Sequence, residues 1–205
     1  MATEVDICNM ALSFLGDRAT MTSIDPPEGS AQAEHCARFY PMAVKELLSQ
    51  GRWTFASKRA KLVSYADEVP GVSYAYALPG DCLKVQSVFS GNCKILSKWT
   101  VERVGASMGI LTKEAADYVR YTSSDTPAAL FPATFTLALA HLVASKIAGA
   151  MVTGPTGVEL SQAQLKYYDH YLRQAMVDDA AQSNEDIHVK SVFMGDFEGD
   201  GYGQL

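Results

Sequence analysis

"RFYPMAVKELLSQGRWTFASKR" (residues 38–59) places a proline in the middle of a helical apolar pattern, then ends on a glycine, two aromatics and two bases. Cys36, Tyr40, Ala43, Val44, Leu47 and Leu48 keep helical spacing on both sides of Pro41. Arg38, Lys45 and Ser49 mark the opposite face, and the proline lies with them. A proline inside a helix removes one hydrogen bond and clashes with the preceding turn, a penalty of about 3 kcal/mol. On a wet face water satisfies the freed carbonyl of Ala37, so the pattern predicts one continuous helix, bent around the core. Ser30 opens it and Gly51 stops it. Two helices, the second beginning at Pro41, are the competing reading. Trp53 and Phe55 are predicted to turn back as core aromatics.

Upstream, Thr3 is placed to cap a helix reaching about Leu15, with Ile7, Cys8, Ala11, Leu12, Phe14 and Leu15 on its apolar side. The loop that follows holds Pro26-Pro27, which excludes helix. Downstream the pattern changes. "SYAYALP", "CLKVQSVFS", "CKILSKWTV", "GILTKE" and "DYVRYT" are short and rich in β-branched and aromatic residues, with glycine or proline turns between them. Tyr74, Tyr76, Phe89 and Trp99 are available for a small core of their own. Helix returns near Pro132 and runs to about Val152. A final helix to about Gln182 opens on a Thr156/Glu159 capping box and lines up Leu160, Tyr167, Tyr168, Tyr171, Leu172, Ala175 and Met176. The fold class expected is mainly α. Residues 1–57 and 123–182 would form a four-helix bundle, residues 58–122 a small antiparallel β insertion, and residues 183–205 an extended, acidic, flexible C-terminal tail.

Composition narrows the classes. The chain has 205 residues, 48% hydrophobic and 20% charged, enough to bury a core. Its net charge is −6, and the excess sits at one end: seven acids and one base follow Val177, while acids and bases balance upstream. No signal peptide is expected at the N-terminus, where Glu4 and Asp6 replace a basic region. The apolar run "ATFTLALAHLVASKIAGAMV" (133–152) is interrupted by His141 and Lys146, which favours a buried core helix over a membrane span. Cys8, Cys36, Cys82 and Cys93 lack Cys-x-x-Cys spacing, and His35, His141, His170 and His188 are scattered. Neither a metal nor a cofactor is expected, and a reducing compartment of synthesis fits.

Three motifs resemble chemistry. "GASMG" (105–109) matches G-x-S-x-G, with Ser107 as a would-be nucleophile and Asp117, Asp125, His141 and His170 in a permissive order. Its setting reads as a hairpin turn. "DFEGDG" (196–201) imitates an EF-hand start without the position-twelve glutamate. Arg52, Lys58, Arg59 and Lys61 flank Trp53 and Phe55, a pattern compatible with nucleic acid but also with a solvated edge. Glu34, Glu46 and Glu114 read as surface or turn residues, so no glycosidase carboxylate pair is isolated. No catalytic residue is assigned. A virion-associated hydrolase of esters or cell wall using Ser107, and a nucleic-acid-binding module, are the alternatives.

Five segments in order carry a family likeness: "ICNMALSFLG" (7–16), "CARFYPMAVKELLSQGRWTFASKRAKL" (36–62), "YAYALPGDCLKVQSV" (74–88), "GILTKEAADYVRYT" (109–122) and "FPATFTLALAHLVASKIA" (131–148). Together they resemble the tail tubular protein A-like head–tail adaptors, or gatekeepers, of tailed bacteriophages. The resemblance spans residues 3–181 and rests on structural residues. It implies a virion protein synthesised in the host cytoplasm and located at the neck. There it would form a ring, commonly dodecameric, between the portal protein and the tail nozzle protein. Such a ring extends the DNA channel, through which DNA passes without sequence-specific binding, and helps retain the packaged genome; no membrane is involved. Within the acidic tail, Val192, Phe193, Met194, Phe197 and Tyr202 are spaced apolar anchors expected to dock onto the portal.

Overall fold

Thr3 caps the first helix as expected: its hydroxyl accepts from the Asp6 amide at 3.1 Å while the Asp6 carboxylate takes the Thr3 amide at 2.8 Å. This computed structural model describes residues 2–18, 20–65, 69–91 and 94–182. Helix α1 is Glu4–Phe14 and α2 is Ala31–Gln50. Strands β1 Ser57–Lys61, β2 Val63–Ser64, β3 Tyr74–Ala77, β4 Cys82–Phe89, β5 Trp99–Val104, β6 Ser107–Thr112 and β7 Tyr118–Ser123 follow. A short 3-10 turn, Ala128–Leu130, leads to α3 Ala133–Met151 and α4 Pro155–Ala180.

The proline question resolves toward continuity. Helix α2 runs unbroken through Pro41, which is exposed, with Ser30 as its N-cap and Gly51 as its C-cap. Successive turns bury Cys36, Tyr40, Ala43, Val44, Leu47 and Leu48. Beyond Gly51 the chain doubles back. Trp53 is 1% exposed, and its indole N–H donates to the Leu47 carbonyl at 3.0 Å. A Cβ on Gly51 would stand 2.8 Å from the Trp53 ring, so only glycine admits this close approach. Trp53, Phe55, Phe131 and Phe135 then pack ring against ring at 4.8–5.9 Å between centroids.

The mainly α four-helix bundle with a small β insertion is corrected: the described residues form four α-helices beside seven strands in two antiparallel sheets, an α+β fold. The first sheet has the order β1-β7-β4 and the second β2-β3-β6-β5. Between them lies a second apolar core of Leu62, Tyr76, Val88, Leu96, Ile110, Ala116, Val119 and Tyr121. The helical core is separate and centres on α3, which packs against α1, α2 and α4. Strong helical periodicity made four segments conspicuous in the sequence. The sheets are less conspicuous, because β1, SKRAK, is charged and β2 is two residues long, so neither shows clean apolar alternation.

Two further expectations change. Helix α4 has Gly154 at its N-cap with no side-chain cap, and Pro155 rather than a Thr156/Glu159 box begins it. The β-region aromatics divide: Tyr76 is buried, Phe89 and Trp99 are half-buried, and Tyr74 is exposed and stacked on Tyr76. Helix α3 is long and apolar enough to cross a membrane, yet two thirds of its apolar window is buried inside the protein.

Candidate functional site

A polar arrangement centred on His141 lies in the interior of the helical layer. His141, in the middle of α3, stacks on Phe14 at 4.1 Å and on Tyr171 at 5.3 Å. Its Nδ1 lies 2.7 Å from Gln164 Oε1, and Gln164 Nε2 donates to the Phe14 carbonyl at 3.2 Å. Burial holds the imidazole pKa below its ordinary value, against the pull of the Gln164 contact. A neutral, stacked, hydrogen-bonded histidine joins α1, α3 and α4; its surroundings are those of a structural group. Lys146, the other interruption of the apolar run, reaches Glu46 of α2 at 2.7 Å.

Ser107 lies elsewhere, exposed at the start of β6. Val104 pairs with Ser107 across a two-residue hairpin whose Gly105 has φ of +60°. A nucleophile elbow needs a strand-to-helix turn with a base beside the serine. Here strand leads to strand, and His141 is enclosed in the helical core. Asp117 sits before β7, and Asp125 reaches Lys58 at 3.5 Å. Glu114 is 3.8 Å from Lys94, and Glu34 lies in the first turn of α2. Among the described residues no cluster of three or more potential metal ligands occurs. The thiols of Cys8 and Cys36 meet between α1 and α2, and this contact together with burial pushes the Cys8 thiol far up.

Asp81, unnoticed in the sequence, gathers three partners in the β region. It receives Lys58 Nζ at 2.9 Å, the Tyr121 hydroxyl at 2.9 Å and the Ser123 hydroxyl at 2.7 Å. Burial works to raise its pKa, but the hydrogen bonds from Ser123, Lys58 and Tyr121 together outweigh it and hold the carboxyl at about 2. Tyr121 in turn is pushed up to about 12, by burial and then by Asp81. This cluster ties β1, β4 and β7 at one end of their sheet.

Surfaces, then, are what the fold offers. Helix α4 buries Gly157, Gln164, Tyr168 and Ala175 toward α3. On one shoulder of that stripe Val158 and Leu165 are 58% and 42% exposed; on the other Tyr167, expected inside, is 55% exposed. Beside Tyr167 runs an open groove of ≈ 640 Å³ whose described lining residues, from Glu159 to Tyr171, lie on α4. At the far end of α4, Asp179 accepts from the Thr54 amide at 2.9 Å and from its hydroxyl at 2.8 Å. A second hollow, ≈ 330 Å³, opens there between Phe55, Pro132, Asp178 and Gln182.

The basic run divides. Lys58 is engaged by Asp81, and Arg52 precedes the strand; Arg59 and Lys61 are exposed on β1. The predicted portal anchors Val192, Phe193, Met194, Phe197 and Tyr202 lie outside the described residues, as does the "DFEGDG" motif. The chain matches no family model, and no curated protein matches its sequence.

Proposed function

We propose that this chain is a structural virion protein, a head–tail adaptor that forms a ring between portal and tail nozzle and docks to the portal through residues 183–205. Helix α4 carries the reading. A 26-residue helix that buries one stripe while leaving apolar residues uncovered on both shoulders suits a subunit held between two neighbours. A head-to-tail ring needs two different patches per subunit, one for each neighbour. Val158 with Leu165 provides one and the Tyr167 groove provides the other. The Asp179–Thr54 contact supports the docking role, because it anchors the end of α4 where the acidic segment departs. The family resemblance of residues 3–181 points the same way.

The test is to mix the chain with the portal protein of the same virus and image the product by electron microscopy. A ring seated on the portal is the expected result, and its loss on removal of residues 183–205 would assign the docking segment. A full-length chain that stays monomeric and off the portal overturns the reading.

A further inference from the structure

Along α4 the residues Gln162, Ala163, Lys166, Tyr167, His170 and Tyr171 recur at three- and four-residue spacing, so they form one stripe beside the stripe packed on α3. Tyr167 stands on it 55% exposed, and the groove of ≈ 640 Å³ runs over it. A helix is convex and supplies a single wall of such a groove. Among the described residues no other element lines it. An apolar groove left open in this way marks a binding surface.

The chain itself brings an occupant to the site. Gln182 is still tied to the helix end, its amide donating to the Asp179 carbonyl at 3.0 Å, so residues 183–205 set out from the C-terminus of α4. At about 1.5 Å per helical residue, Tyr167 lies about 22 Å back from Gln182. An extended chain covers about 3.3 Å per residue, so about seven residues return that distance and reach Val189. The sequence there is "EDIHVKSVF" (185–193). Ile187, Val189 and Phe193 fall at even spacing with Ser191 among them, while His188 and Lys190 alternate with them, the pattern of a segment with one apolar side. Charge agrees with this path. Glu185 and Asp186 come about 10–13 Å back, and exposed Arg173 stands about 13 Å back, on the flank that it shares with Lys166 and His170.

We propose that in the free chain residues 187–193 fold back along α4 and occupy the Tyr167 groove, an autoinhibitory contact that portal docking releases. Phe193 is also one of the expected portal anchors, so seating on α4 and seating on the portal exclude each other. The covered groove is the side that a neighbouring subunit would use, and ring closure is thereby confined to subunits already on the portal. A short flexible tether holds the segment at an effective concentration of about 1 mM, which favours it over a second copy in dilute solution. The consequence for assembly rests on the adaptor reading, while the docking itself is a property of the isolated chain.

The experiment is hydroxyl-radical footprinting of the full chain and of its V189D/F193D variant, read by peptide mass spectrometry at two protein concentrations. With the tether at about 1 mM, a segment affinity of about 0.5 mM fills the groove about two-thirds of the time, so Tyr167 should oxidise about threefold more slowly in the native chain than in the variant. Tyr74 and Tyr118, exposed on the two sheets, should oxidise equally in both. Protection of Tyr167 should be the same at both concentrations, as an intramolecular contact requires. Equal Tyr167 rates in the two proteins overturn the proposal. Protection that fades on dilution also overturns it, since a second copy would then be the occupant. A rise at all three tyrosines in the variant would make the segment part of the core and equally overturn it. Because no portal is present, these outcomes are read independently of whether the adaptor reading stands.

Discussion

Gly51 and Asp81 show how single positions decide more than their composition suggests. A methyl group at Gly51 would push against the Trp53 indole, which is wedged between Phe55 and Phe135. Overpacking of a filled core costs about 1–3 kcal/mol, so Gly51→Ala should lower the urea midpoint by a corresponding amount. Asp81 gives a pH signature. Its folded pKa of about 2 lies below the ordinary 3.8, so the folded state prefers the carboxylate. Its stabilisation is complete above pH 3.8 and is lost as pH falls toward about 2. Asp81→Asn should remove that acid-limb dependence and destabilise by about 1–3 kcal/mol at neutral pH, leaving Lys58 and Tyr121 with a poorer partner. Urea melts of both proteins at pH 2–7 check this. The Gly51 approach had a trace in the sequence, a stop signal before tryptophan. Asp81 had none, because its three partners come from residues 23 to 42 positions away.

Helices were legible where their own periodicity and caps sufficed. Thr3, Ser30 and Gly51 bound α1 and α2 through contacts within three residues of the helix ends, and local sequence encodes these. The same logic explains Pro41: its position on the wet face leaves the buried stripe unbroken. Pro41→Ala restores the missing bond and should raise stability by about 1–2 kcal/mol, less than the full proline penalty because alanine also loosens the unfolded chain. An unchanged or lower thermal midpoint would contradict this account of α2. Strands β1 and β2 were illegible for the converse reason. Charged residues on β1 suit an edge strand, whose unpaired rim natural proteins protect in this way, but they erase the alternation that reveals a strand. The exposure of Tyr167 is hidden in the sequence for a related reason, since a helix with apolar residues on both shoulders looks like one with a wide buried face.

At the scale of the whole molecule, the helices surround α3 and the sheets enclose their own core, joined through the Trp53 turn and the β4–α2 contact. Removing residues 183–205 deletes none of the described core, so far-ultraviolet circular dichroism and thermal midpoint should be unchanged while portal binding disappears. A cooperative loss of helix in the truncated chain would show instead that the segment belongs to the fold. Sequence by itself determined the four helices, the caps of α1 and α2, the strand-rich middle and the charge imbalance at the C-terminal end. These rest on spacing, capping and composition, which act over a few residues. Tertiary structure alone decided that the middle makes two sheets with a core between them, that Asp81 anchors one end, and that Arg59 meets Arg120 across a strand pair. Each of those depends on residues far apart in the chain, and register between strands is set by which faces find a common core.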